Sequence, residues 1–305
     1  MKKTIGTFPS SSGLCDIHFY IYTPETKPKA VLMLSHGMCE YVERYEEFAK
    51  FLCENGIAFA GNDHLGHGNS VKNDDMLGYF GQERGYINMV RDLHRMKTVL
   101  EEYFPDIPHF LLGHSMGSFL GRIYLAKYRD RLDGAVFIGT AGGMAGSIPL
   151  KNILDAIERD RGDYYRPRLG SAIFGLFNIR IPDRRTPNDW LSRDEKSVDK
   201  YLADPKCNFM FTVAGLRDML DALLCCNSKP VFENTPQDIP ILFLSGSMDA
   251  VGEYGKGVRK AVVQYIIHGC YVDLHLYHDA RHELIFELNR EEVYHDILTF
   301  IDMEI

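Results

Sequence analysis

At 305 residues, with 45% apolar and 25% charged side chains, the chain has the length and composition of one large soluble domain, or of a domain carrying an insertion. A formal net charge of -8 argues against a nucleic-acid partner, which calls for a basic face, and no uninterrupted apolar run is long enough to cross a bilayer. The opening MKKTIGTFPS has lysines but no apolar segment behind them, so no secretory signal is expected.

The seven cysteines are odd in number and lack CxxC spacing. They read as reduced, buried thiols of a cytoplasmic protein rather than a disulfide framework. Cys225 and Cys226 have no second Cys/His pair to complete a metal site.

In chain order, IHFYIYTP (17–24) alternates like one strand of a hairpin. AVLMLSHG (30–37) and IAFAGNDH (57–64) read as buried strands, each stopped by glycine or a polar turn. YINMVRDLHRMKTVLEEYF (86–104) has the three-and-four spacing of a helix. HFLLGHS (109–115) is a strand followed by a helix, MGSFLGRIYLAKY. GAVFIGTAG (134–142), ILFLSGSMD (241–249) and VDLHLYHDA (272–280) repeat the buried-strand form, with helices at 257–269 and 290–301. Continuous apolar strands alternating with helices predict a mostly parallel, doubly wound α/β sheet.

One region breaks the alternation. Residues 146–205 contain no strand-like run, but hold helical pieces, RDRGDYYRPR and the apolar SAIFGLFNI, and are nearly neutral where the rest is acidic. An insertion after a strand of such a sheet falls on the ligand-facing side. The organisation expected is therefore a first core part, 1–145, a helical cap, 146–205, and a second core part, 206–305.

The chemistry centres on Gly113-His114-Ser115-Met116-Gly117, a G-x-S-x-G between a strand and a helix. Gly113 and Gly117 flank a turn too tight for side chains there, which leaves the Ser115 hydroxyl clear of the backbone. A serine needs a base and a group to orient that base. Asp249, at the end of ILFLSGSMD, and His282, in the loop after the last strand, follow Ser115 in the order serine, acid, histidine. His275 and His278 lie within or at the end of that strand, and Glu253 and Asp273 do not terminate one, so they are weaker candidates. The backbone N–H of Met116, with that of Met38 in the loop after AVLMLSHG, would form the oxyanion hole. Asp63, His64 and His67 in DHLGHGNS read as side chains bracing these turns rather than as a metal site.

Together SHGMCEYVERY, DHLGHGNS, GHSMGS, SGSMDAVG and ARHE resemble the monoacylglycerol lipase/lysophospholipase group of the α/β-hydrolase superfamily, which is related to serine aminopeptidase-type hydrolases. The resemblance runs from about residue 30 to residue 290. It implies an α/β-hydrolase fold with a helical cap and an esterase with the triad Ser115, Asp249 and His282. It also implies an oxyanion hole from the amides of Met38 and Met116, and no cofactor and no metal. Met38 and Cys39 stand where that group commonly has small residues, which narrows the acyl side of the pocket.

The activity expected is hydrolysis of an acyl-lipid ester, a monoacylglycerol or lysophospholipid, through an acyl-enzyme on Ser115. It is compatible with a transient contact between the cap and a membrane surface. An aminopeptidase or amidase and a thioesterase are the alternatives that use the same residues. An epoxide hydrolase or dehalogenase would need aspartate in place of Ser115.

Overall fold

In the computed structural model, which describes residues 1–128, 132–143 and 146–305, the apolar runs become strands whose alternate residues feed two separate cores. The strands are β1 (Lys2–Pro9), β2 (Asp16–Thr23), β3 (Ala30–Ser35), β4 (Ile57–Asn62), β5 (His109–His114), β6 (Gly134–Ile138), β7 (Ile241–Gly246) and β8 (Val272–Tyr277). In β3, Val31 and Met33 face one core while Leu32 and Leu34 face the other; Phe137 and Val136 of β6 divide in the same way. A sheet sandwiched like this has to be apolar on both faces, hence the unbroken runs.

The sheet order is β1-β2-β4-β3-β5-β6-β7-β8. Strands β3 to β8 are parallel, and the β1–β2 hairpin joins antiparallel beside β4. One face is covered by α1 (Glu46–Glu54) and α10 (Arg290–Met303). The other carries α2 (Gly85–Tyr103), α3 (Met116–Lys127), α7 (Val213–Cys226) and α9 (Lys256–Ile267). From β3 the chain crosses to β4 on one side, then returns to β5 on the other. The loops leaving β3 and β5 therefore diverge and open a crevice at the carboxyl ends of the strands.

Two sequence expectations need correction. The β1 strand was not anticipated, because KKTIGTFP is a half-exposed edge strand without a continuous apolar run. Although read as buried on both faces, β8 is the opposite edge and has alternately exposed residues.

Between β6 and β7 lie α4 (Ser147–Arg161), α5 (Leu169–Leu176) and α6 (Glu195–Ala203), then α7 and α8 (Lys229–Asn234). The last two pack against α3 in the helical layer. The boundary drawn from the sequence at residue 145 lies outside the described residues.

Asp218 of α7 supports the start of α2 by accepting the Gly85 N–H at 2.9 Å through Oδ2. Its other oxygen is buried with no partner among the described residues. Burial pushes this carboxyl up to about 7, against the pull of Arg217 and the Gly85 amide. A raised carboxyl contributes stability that is full below its unfolded value and is lost as pH rises through the folded one. Asp218→Asn is thus expected to raise Tm relative to the parent by a margin that widens from about pH 4 to about pH 7 and then stays flat. A margin independent of pH in thermal melts would contradict the burial argument.

Candidate active site

The turn from β5 into α3 is as sharp as the glycine spacing requires. Ser115 sits at φ 49° and ψ -120°, a strained conformation for a residue with a side chain. A Cβ on Gly117 would overlap the carbonyl oxygens of Ser35 and His36, and one on Gly113 would lie 2.8 Å from Ser118 Cα. Both positions exclude any side chain, so the elbow can press against the end of β3. The Ser115 N–H donates to Ile138 O at 2.9 Å, and the Ser118 hydroxyl donates to Ser115 O at 2.6 Å.

Asp249 follows β7 and His282 follows β8, so both arrive at the same rim of the sheet. The Nδ1 of His282 lies 2.9 Å from Asp249 Oδ1, and its Nε2 lies 2.9 Å from Ser115 Oγ. The carboxylate fixes the proton on Nδ1 and leaves Nε2 free to accept from the serine. Asp249 and His282 are 0% and 2% exposed, so the pair is shielded from bulk water. Asp249 Oδ1 also accepts the Val251 N–H at 2.9 Å, which holds the carboxylate in place.

The competing residues are elsewhere. His278 is almost fully exposed, and His275 lies outside the pocket, 3.4 Å from Asp296. Asp273 faces solvent on β8. Glu253 lines the pocket without reaching the Ser115–His282–Asp249 chain.

Met38 and Met116 line the same cavity, and neither backbone N–H meets an acceptor among the described residues. The Met38 turn is braced from below. His36 Nδ1 donates to Gly37 O at 2.8 Å, and its Nε2 accepts the His64 N–H at 2.8 Å. Burial lowers His36 to about 4 and His67 to about 3, so both stay neutral and meet edge to face with ring centroids 5.3 Å apart. Asp63 accepts the Val42 N–H at 3.0 Å and the Asn69 N–H at 2.8 Å.

Sequence reasoning missed a second brace. Glu40 accepts from the Gly37 N–H, from Tyr45 Oη at 2.9 Å and from His114 Nδ1 at 2.7 Å. Arg44 donates to Glu40 at 2.8 Å and, through both terminal nitrogens, to Glu283 at 3.0 and 3.1 Å. Burial alone would raise the Glu40 carboxyl, yet His114 and Arg44 hold it well below the usual carboxylate range. Burial would likewise lower His114, but Glu40 raises it. The network ties together the turn before Met38, the residue before Ser115 and the residue after His282. Its one signal in the sequence is a charged i,i+4 pair, Glu40 and Arg44, within a stretch that otherwise packs inward.

Trp190, between α5 and α6, lies over His282 with ring centroids 5.0 Å apart, and its carbonyl accepts the His282 N–H at 3.4 Å. It is the chain's single tryptophan. Modification of Ser115 is therefore expected to change the intrinsic emission in step with any loss of activity. Unchanged emission during complete modification would contradict the placement of Trp190.

The cavity above Ser115 measures about 380 Å³. Phe119, Leu150, Leu154, Phe174, Leu216 and Leu223 give it apolar walls, and Tyr201, Asn208 and Glu283 add polar groups. Cys207, Phe209 and Phe211 also line it, so the pocket extends past the predicted boundary at 205. All seven cysteines are free thiols, and burial raises those of Cys39 and Cys207 at the pocket. No helix among the described residues is long and apolar enough to cross a membrane.

Fold, elbow and site define an α/β hydrolase, and residues 26–289 match the family described as "Serine aminopeptidase, S33", to which this chain belongs. It is a carboxylic ester hydrolase of the monoacylglycerol lipase-like branch. A carboxyl esterase from Bacillus coagulans, solved in complex with glycerol, superposes with a TM-score of 0.92 at 30% identity, covering 99% of this chain and 98% of that one. The monoglyceride lipase homolog of Monkeypox virus is 28% identical over 290 residues, 92% of this chain and 94% of its own. The monoacylglycerol lipase of Mycolicibacterium smegmatis is 26% identical over 285 residues, 93% and 92% of the two chains.

Proposed function

We propose that this chain hydrolyses acyl-lipid esters, monoacylglycerols or lysophospholipids, through an acyl-enzyme on Ser115. The observation that carries the reading is the continuous hydrogen-bonded chain Ser115–His282–Asp249 at the floor of an apolar cavity. His282 Nε2 takes the hydroxyl proton as Ser115 Oγ attacks the ester carbonyl. The Met38 and Met116 amides receive the developing oxyanion, each donor of this kind being worth about 3 kcal/mol. The tetrahedral species collapses, and the alcohol leaves with the proton from His282. Water then gives a proton to the same nitrogen, attacks the acyl carbonyl and frees the acid and Ser115. Asp249 holds the imidazole and stabilises its charged form throughout.

Residues 146–205 act in this reading as a cap over the acyl chain, supported by Leu150, Leu154, Phe174 and Trp190 lining the cavity. Ile148, Ile153, Leu176 and Ile179 on the same segment are half or more exposed, which suits a transient contact with a lipid surface. Seven free thiols suit a reducing, cytoplasmic compartment. The test is a panel of p-nitrophenyl esters of rising chain length beside monoacylglycerol, lysophosphatidylcholine, thioesters and aminoacyl-anilides. The lipid esters are expected to give the highest kcat/KM. Preference for an anilide or a thioester would overturn the substrate assignment.

A further inference from the structure

We propose that two copies of this chain pair through the free edge of β8, antiparallel about a two-fold axis at Leu274. The Ile241 N–H donates to Tyr271 O and the Ser247 N–H to Tyr277 O, at 3.0 and 2.9 Å. With the parallel register to β7, this turns the backbone groups of residues 271, 273, 275 and 277 inward. Those of Val272, Leu274 and Leu276 point away from the sheet, where no further strand lies among the described residues. Placing Leu274 opposite its own copy sets Val272 against Leu276 on both sides of the axis. These are the residues whose N–H and C=O groups are free.

The same register sets an acid opposite an imidazole, whose Nδ1 also lies 3.4 Å from Asp296 of its own chain. Asp273 of one copy falls opposite His275 of the other, twice, and both side chains are on the exposed face of β8. Exposed edges are usually blunted by proline, lysine or a bulge, and VDLHLY has neither proline nor lysine and pairs with β7 without a bulge.

The neighbouring helix α9 and the turn that follows it supply apolar area. Val263, Ile266, Ile267 and Tyr271 are about half exposed or more. His268 stacks on Phe232 at 5.8 Å on the inner flank of α9, so Val263 and Ile266, on the opposite flank, lie toward the open edge. Across a two-fold axis this strip meets its own copy, as an isologous interface requires. None of these residues lines the cavity at Ser115, so pairing leaves that cavity open.

The test is light scattering on the eluting full chain across a concentration series, with Ile266→Glu and Asp273→Lys alongside. The parent is expected at twice 34.8 kDa, and each variant at 34.8 kDa with unchanged ester turnover. Hydrogen exchange on the unmodified protein gives an independent reading, with Leu274 and Leu276 amides slowing as concentration rises. A parent that stays monomeric, a dimer that survives both substitutions, or exchange at these two amides that ignores concentration would each overturn the proposal.

Discussion

Ser115→Ala is expected to lower kcat by about four to six orders of magnitude and to leave Tm unchanged. The hydroxyl is the group proposed to form the bond to the acyl carbon, and no other nucleophile among the described residues is hydrogen-bonded to His282 Nε2. Cys39 and Cys207 line the same cavity, but burial raises their thiols and so disfavours the reactive thiolate. In the proposed mechanism, what remains after the substitution is the turnover that the Met38 and Met116 amides and binding alone would provide. Steady-state kinetics on the preferred ester decides it. Turnover within about tenfold of the parent would contradict the assignment.

Arg44→Met is expected to give the largest loss of stability, about 3–5 kcal/mol. Arg44 is 10% exposed and sits between Glu40 and Glu283, which are 1% and 4% exposed. Its guanidinium also lies over Phe286 and Tyr201, at 4.3 and 4.9 Å. Methionine keeps much of the volume and removes the charge, leaving two buried carboxylates facing each other. Urea and thermal denaturation should both move sharply, and ester turnover should fall because Glu283 adjoins His282 and Glu40 holds the Gly37 amide. Adding Glu40→Gln and Glu283→Gln to the same chain is expected to recover most of the stability, because the fault lies in unpaired charge rather than in packing. A single variant as stable as the parent would mean that the network contributes little.

The sequence disclosed the parts of the molecule governed by local rules. Unbroken apolar runs such as AVLMLS and ILFLSG have to be strands covered on both faces, and seven of the eight strands follow from that pattern or from alternation. Ser115, Asp249 and His282 were legible because each stands in a turn directly after a strand, and a parallel sheet brings such turns to one rim. The failures are non-local. Glu40 and Glu283 meet through Arg44 across more than 200 residues of chain, which no spacing reveals. No motif or spacing around Trp190 signals that the chain folds it onto His282. Strand β1 is held mainly by its pairing with β2, and β8 has the apolar content of a buried strand at an exposed edge.

The most direct measurement is labelling with a fluorophosphonate, followed by intact mass and peptide mapping. The expected result is one adduct per chain, on the peptide carrying Ser115, with labelling strongly slowed in His282→Ala. No adduct, or an adduct on any other residue, would contradict the proposed nucleophile and the hydrolytic mechanism built on it.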